Sequence, residues 1–453
     1  MTGDRSAKAF ALRTSAFARR TRPAQAFALL LLLAVPGAAQ SVDREPLRLA
    51  VLQREARDAD ARARELDLLA QQTDLRVRNI DVERLPAVSA LGQTQYQSDA
   101  PIAPFNGPDG QPVFASPKFT YDLSLRVDQR LYDAGRQPRR DLARADLAES
   151  QARVRTSLFT LRQEVNDAFF AAALLQEQLG ALDAALADLE ARLRETATRV
   201  REGAALPVEA DAIEAALLQQ RQQADALRSS RRAALARLAI LTGRPIEADA
   251  MTQLPDASTT AARARDALIR ERARPEYAQF DRARDKAASQ QSVARAADRP
   301  QVSAFGRGGF GRPGLNFIAD RPEAYALAGV QLQWRAWTWG ASDREREVLA
   351  LQQTIVSAEE AAFTSGLRRA VEADLAAIDH LEAALPADDR IVSLRERIDR
   401  TARVRLGEGA VTASEYLDRR TEWLAAQFDR ARHRVELAQA RVRVLTTLGL
   451  EVQ

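Results

Sequence analysis

The chain has 453 residues, a formal net charge of +4, a pI near 9.6 and no cysteine. The missing cysteine excludes disulfides, thiolate metal sites, a cysteine nucleophile and a lipid-modified N-terminal cysteine. The basic balance does not point to nucleic acid, because it sits at the N-terminus. There Arg5, Lys8, Arg13, Arg19, Arg20 and Arg22 stand against Asp4, and the remainder is close to neutral.

That N-terminus has the order of an export signal. The basic stretch leads into AFALLLLLAV (Ala26–Val35) and Pro36, and Gly37 and Ala39 supply small residues at −3 and −1 of a cleavage site. Residues 1–39 are therefore expected to be a signal peptide. About ten apolar residues are half of the roughly 20 that a transmembrane helix needs. No later window is apolar enough to span as a helix, so any membrane crossing must use β-structure.

In chain order, the first such structure is a strand pair. LPAVSALGQTQYQ, from Leu85, and FTYDLSLRVDQRL are separated by a Pro- and Gly-rich loop. The second alternates strictly, with Phe119, Tyr121, Leu123, Leu125 and Val127 on one face. Thr120, Asp122, Ser124, Arg126, Asp128 and Arg130 occupy the other. Strands are expected at about 85–97 and 119–132. An apolar face opposite a run of charges suits a barrel with lipid outside and water inside.

From about Arg139 to Glu202 a helix follows. Its apolar or small residues recur at spacings of four and three, among them Leu158, Leu161, Val165, Leu179, Leu182, Leu186 and Leu189. A 3.5-residue period sustained this long is a coiled-coil signature. After RVREGAALPVEADAIEA a second seam runs through Ile213, Leu217, Ala224 and Leu238 and stops at Gly243 and Pro245. The hairpin is expected over about 139–243.

The whole plan then repeats. RPQVSAFGRGGFG, from Arg299, opens a second strand pair, expected at about 300–311 and 324–336. A second hairpin is expected at about 341–448, with RVRLGEGAVTASEYLDR as its turn. Aligning Arg199 with Arg403 puts the copies 204 residues apart, and the seam residues then pair as Ile213 with Leu417 through Leu241 with Leu445. In this alignment Pro386 falls on the seam opposite Leu182, where a kink or break is expected. The expected divisions are 40–243 and 244–449 for the two repeats, with 450–453 as a tail. Four strands cannot close a barrel whose smallest form has about eight, so strands must be shared between protomers.

The order and duplication of these features resemble the TolC-like outer-membrane efflux channel family. The resemblance rests on LPAVSA and RPQVSA opening the first strand of each half and on RLYDAGR and AWTWGA closing the second. It extends to the tip residues Arg405, Gly409, Thr412, Glu415, Leu417 and Asp418 and to the terminal LGL. It implies a mainly α fold with a membrane β-barrel: internally duplicated coiled-coil hairpins, four transmembrane strands per protomer, and a homotrimer sharing one barrel. It also implies a channel rather than an enzyme, working with a periplasmic adaptor and an inner-membrane transporter in an efflux or secretion system. The location would be the outer membrane, with a long periplasmic extension.

By the same resemblance, the turns would dock the adaptor through Arg405, Gly409, Ala410, Val411 and Thr412. In the first copy Arg201, Ala205, Leu206 and Pro207 would serve. Glu415 and Asp418 would form carboxylate rings at a pore constriction, and the 204-residue alignment makes Asp211 and Glu214 their counterparts. The competing reading is an acidic first helical turn favoured by the helix dipole.

Other motifs are weaker. GRGGFG satisfies a dinucleotide-binding string but is followed by RPGLNF, which cannot open the required helix. His380 and His433 have no ligand spacing, so no metal or other cofactor is expected. Trp334, Trp337 and Trp339, with Tyr132 in the first copy, lie at strand ends, where lipid-interface anchoring is preferred over simple packing. A periplasmic adaptor would carry a single hairpin with lipoyl-like modules. A soluble coiled-coil scaffold would need neither half-apolar strands nor an export signal.

Overall fold

The computed structural model describes residues 45–99, 101–102, 105–108, 110, 116–257, 261–270, 272–315 and 321–452. The expected signal peptide lies outside them. The first repeat runs β1 (Leu47–Arg48), α1 (Leu49–Ala59), α2 (Arg62–Val82), β2 (Ala87–Tyr96), β3 (Phe119–Asp133), α3 (Arg136–Arg201) and α4 (Pro207–Thr242). The second runs β4 (Thr252–Gln253), α5 (Ala261–Arg270), α6 (Pro275–Ala296), β5 (Gln301–Arg312), β6 (Glu323–Gln333), α7 (Ala341–Gly407) and α8 (Ala413–Leu448). β1 and β4 pair in parallel, joining the starts of the two repeats. Two residues each are too few to leave a pattern, and the sequence reading has no counterpart for them.

The four longer strands form one antiparallel sheet in the order β2-β3-β5-β6. Its register aligns rows of like residues. Ala90, Leu125, Gly308 and Ala326 form one row, and Val88, Val127, Gly306 and Ala328 form another on the same face. Large apolar side chains on that face, including Val88, Leu123, Leu125, Val330 and Leu332, are exposed. The opposite face is polar and internally bonded. Arg307 Nε donates to Ser124 Oγ (3.0 Å) and its guanidinium pairs with Asp122, which also accepts from Tyr325. Arg126 forks onto Asp128 at 2.7 and 2.8 Å. Gly309 makes this network possible, since a Cβ there would sit 2.7 Å from Ser124 Cβ and 2.8 Å from the Tyr325 ring. GRGGFG is thus strand backbone.

α3 is one unbroken helix of 66 residues, about 100 Å long at 1.5 Å per residue. Its seam is inside: Leu158, Leu161, Val165, Leu179, Leu182, Leu186 and Leu189 are all buried. α2, α3, α6 and α7 pack in that order, repeating the order of the strands, while α4 packs on α3 and α8 on both α7 and α3.

The geometry corrects the alignment of the copies. The left-handed turn glycines are Gly203 and Gly409, both at φ 71°, and the helix-ending glycines are Gly243 and Gly449. Ala204 N bonds Arg199 O as Ala410 N bonds Arg405 O. Each pair is 206 residues apart, two more than the repeated Arg-Val-Arg suggests. The buried seam of α7 obeys the same spacing: Leu161, Val165, Ala172 and Thr196 correspond to Leu367, Val371, Ile378 and Ala402. Pro386 therefore matches Gly180, not Leu182. Both are exposed, and α7 continues through Pro386 without the expected break.

The true counterparts of Leu182, Leu189 and Leu193 are Asp388, Arg395 and Asp399. Part of the second hairpin's seam is therefore ionic: Asp388 meets His433 Nδ1 at 2.7 Å, Arg395 pairs with Glu422, and Asp399 with Arg420.

An exposed proline inside a helix costs up to about 3 kcal/mol relative to alanine. Pro386→Ala is expected to raise the denaturation midpoint, followed by far-UV circular dichroism. An unchanged or lowered midpoint would mean the ring makes a compensating contact.

Candidate pore constriction and docking tip

The two turns lie at the same end of the helices and are tied together. Arg199, in the last turn of α3, donates from Nη1 to Leu406 O of α7 at 2.9 Å and from Nη2 to Ala204 O at 3.4 Å. Leu406 O also accepts from Gly409 N at 3.1 Å. The guanidinium thus adds a charged second donor at the carbonyl end of the neighbouring helix, where a cation complements the helix dipole.

The turns share a backbone path but differ in chemistry. Thr412 is the N-cap of α8, and its Oγ1 accepts from Glu415 N (3.2 Å), while Glu415 Oε2 accepts from Thr412 N (2.9 Å). This reciprocal capping box satisfies two donors at once. In the first turn Leu206 is the N-cap, no side chain caps it, and Pro207 opens α4. Pro at this position gives up an N–H that would be unpaired anyway.

The 206-residue correspondence also moves the acidic residues. Glu209 is the partner of Glu415, and Ala212 is the partner of Asp418. Asp211 and Glu214 are exposed on α4 but are not the equivalents of Glu415 and Asp418. Asp418 is exposed and has no ion pair among the described residues. Arg201 bonds within its own turn, to Thr198 Oγ1 at 3.0 Å. Ala205 is partly buried, Leu206 and Pro207 are exposed, and Val411 packs partly against the core beneath the tips.

Behind the tips is a constellation the sequence reading missed. Tyr416 is fully buried, and its hydroxyl donates to Asp188 Oδ2 of α3 at 2.9 Å. Asp188 also meets Arg403 (3.2 Å) and Arg420 (3.4 Å), and both arginines reach Asp399 at 3.3 and 3.4 Å. Arg420 and Asp399 have side chains only 3% and 2% exposed. Arg420 also stacks on Trp423, 4.6 Å from the ring centroid. The cluster joins α3 to α7 and α8.

Burial holds the Asp399 carboxyl above its ordinary value, against the pull of Arg420 and Arg403. This carboxyl's contribution to folding therefore weakens as pH rises out of the acid range. Burial, and then Asp188, push the Tyr416 phenol up, which keeps it a neutral donor. Asp399 Oδ1, Arg403 Nε and Arg420 Nε have no hydrogen-bond partner among the described residues. A buried ionic cluster left partly unpaired holds less firmly than a leucine seam of the same extent. A charged residue on an apolar seam was the available signal, but only the 206-residue alignment puts Asp399 there.

At the other end, Tyr132 lies beside the bulge of β3, and Trp334, Trp337 and Trp339 follow β6; all four are exposed. Trp337 and Trp339 meet edge to face with centroids 5.8 Å apart, and Trp334 Nε1 donates to Asp298 O at 3.0 Å. The register of Asp133 with Gln301, and of Gln301 with Gln333, puts them on one rim, where the long helices leave the sheet.

Residues 56–244 match the model of the outer membrane efflux protein family. No curated protein matches the sequence. Among solved structures, a membrane protein from Pseudomonas aeruginosa is similar at TM-score 0.66 and 17% identity, over 89% of this chain and 90% of that one. The Vibrio cholerae outer membrane protein VceC is similar at TM-score 0.64 and 15% identity, over 89% and 97%. The Neisseria gonorrhoeae MtrE outer membrane channel in its open state is similar at TM-score 0.62 and 19% identity, over 90% of each chain. At these identities the likeness is one of fold, and it extends over the second repeat, which the family model does not reach.

Removing Arg420 leaves Asp399 less compensated and should cost about 3–5 kcal/mol. Removing only the Tyr416 hydroxyl should cost about 1–3 kcal/mol. Arg420→Met is thus expected to destabilise more than Tyr416→Phe in denaturant unfolding, and both should speed hydrogen exchange around 183–193 and 411–424. Unchanged exchange in both would show that the cluster does not hold the hairpins together.

Proposed function

We propose that this chain, a member of the outer membrane efflux protein family with the TolC-like channel fold, is the outer-membrane component of a tripartite efflux system and works as a homotrimer. The observation that carries the reading is the sheet. It has one exposed apolar face and one charged, internally bonded face, and its strands lead directly into helices of about 100 Å. One face meets lipid and the other water, and the helices carry the tunnel across the periplasm.

Unfinished edges support an assembly of several copies. Among the described residues β2 pairs only with β3, and β6 only with β5, so each leaves a row of backbone donors and acceptors open. In lipid each unpaired group costs several kcal/mol. The helical layer has matching edges: Leu68, Leu75 and Val82 on α2 and Val348, Leu351 and Ile355 on α7 are all exposed. The spacings of seven on α2, and of three and four on α7, are those of unused coiled-coil seams. The two edges differ, so copies associate head to tail and close a ring. Three copies give twelve strands.

The tips are the docking end for a periplasmic adaptor that links the channel to an inner-membrane transporter. Gly409, Ala410, Val411, Thr412 and Arg405 form the better-capped turn; Arg201, Ala205, Leu206 and Pro207 form its partner. Asp418 and Glu415 are the constriction carboxylates, with Asp211 and Glu214 as a second exposed pair. Trp334, Trp337, Trp339 and Tyr132 anchor the rim at the lipid interface, where aromatic residues are favoured.

Two outcomes are expected. Purified protein should run as a trimer in native mass spectrometry, and Leu75→Glu with Leu351→Glu should release monomers; a surviving trimer would rule out these edges as the interface. In planar bilayers the trimer should conduct, and Asp418→Asn should weaken block by multivalent cations. Asp418 takes no part in the capping box, so its substitution separates a pore role from helix capping. Unaltered block removes it from the constriction.

A further inference from the structure

A concave site of about 650 Å³ lies where α1, α3, the α5–α6 junction and the segment after α8 meet. Four arginines line it, Arg54, Arg57, Arg155 and Arg162, against two acids, Asp58 and Glu451. Arg162 is the deepest of the four cations, with its side chain 19% exposed. Its described partners are Leu450 O at 3.3 Å and Glu451 Oε1 at 3.4 Å, both long for a charged donor, and Glu451 itself is largely exposed. Its guanidinium lies 4.9 Å from the Phe159 ring centroid, and Arg274 lies over the same ring at 4.6 Å. Arg274 is neutralised by Glu276; among the described residues Arg162 has no comparable fork.

Burial lowers the Arg162 pKa; Glu451 opposes this, and the nearby cations Arg57 and Arg274 add to it. Arg155, on the same wall, is exposed with no ion pair among the described residues. The site therefore has spare positive charge around an under-bonded guanidinium, as an anion site requires.

We propose that this site binds a short acidic peptide bearing free carboxylates. Two features select an organic anion over a bare inorganic one. The volume exceeds that of a single oxyanion, and the wall beside the guanidinium is apolar, formed by Leu66, Leu158, Phe159 and Pro275. Position excludes lipid headgroups. Arg155 and Arg162 lie 19 and 26 residues into α3 from Arg136 at the sheet, roughly 30–40 Å along the helix. Only that exclusion rests on the membrane reading; the binding test does not.

The test is calorimetric titration of the full-length protein in detergent with N-acetylated Leu-Glu-Glu, its C-amidated and therefore neutral analogue N-acetyl-Leu-Gln-Gln, and inorganic phosphate. Saturable binding of the acidic peptide alone is expected, weakening with salt. Arg162→Met should reduce affinity about tenfold or more, and Arg155→Ala by a smaller measurable factor. Arg155 is exposed and without described partners, so its variant keeps the test valid should Arg162→Met fail to fold. Absence of binding, or binding unchanged from the unsubstituted protein in both variants, overturns the proposal. Phosphate binding as tight as the peptide overturns its choice of ligand.

Discussion

The apolar seam of α3 is the constraint on which the rest of the structure depends. One helix of 66 residues packs against α1, α2, α4, α6 and α8 along its length. A helix that long gains little from propensity alone and is held straight by a continuous buried stripe. At its start α3 fixes the exit of β3 from the sheet, at its middle the buried Gln53–Asn166–Thr446 chain, and at its end the neighbouring turn through Arg199. Displacing the seam by one residue would move all three together.

The second repeat keeps this plan with weaker means. Asp388, Arg395 and Asp399 stand where the first has leucines, and each finds a partner on α8. Paired charges at a seam fix register, because a slipped pair strands a buried charge, but they add less net stability than leucine. The second hairpin is thus held in one register by interactions that a modest rearrangement could exchange. The first hairpin is held by packing that must open a void to move.

Much of the fold is legible in the sequence because two periods carry it. Period two writes the sheet through Leu123, Leu125 and Val127, and period 3.5 writes α3 through Leu158 to Leu189. The repeated Arg-Val-Arg lies two residues out of the structural register for a physical reason. α8 packs against α7, α3 and α4, so its buried arc is wide, from Tyr416 and Arg420 to Leu424, Ala431 and Val435. A seam displaced by two residues still lands largely inside such an arc, and the repeated Arg-Val-Arg then decides the register wrongly. The cluster of Asp188, Asp399, Arg403, Tyr416 and Arg420 had no such signature. Its members lie on three helices and up to 232 residues apart, and contact depends on the packing of α3 against α8.

The two turns show how far a shared backbone constrains function. Gly203 and Gly409 have the same φ, and each is followed by the same 6→1 return bond. The first helix is then opened by Pro207, which needs no donor satisfied, and the second by Thr412 and Glu415, which satisfy each other. Glu415 thus has a structural task that does not need a pore, whereas Asp418 has no ion pair among the described residues. An exposed carboxylate one turn below a rigidly capped tip, with no described partner of its own, is free to act on whatever passes or docks there. The proposed constriction therefore depends on Asp418, and Glu415 holds the turn that presents it.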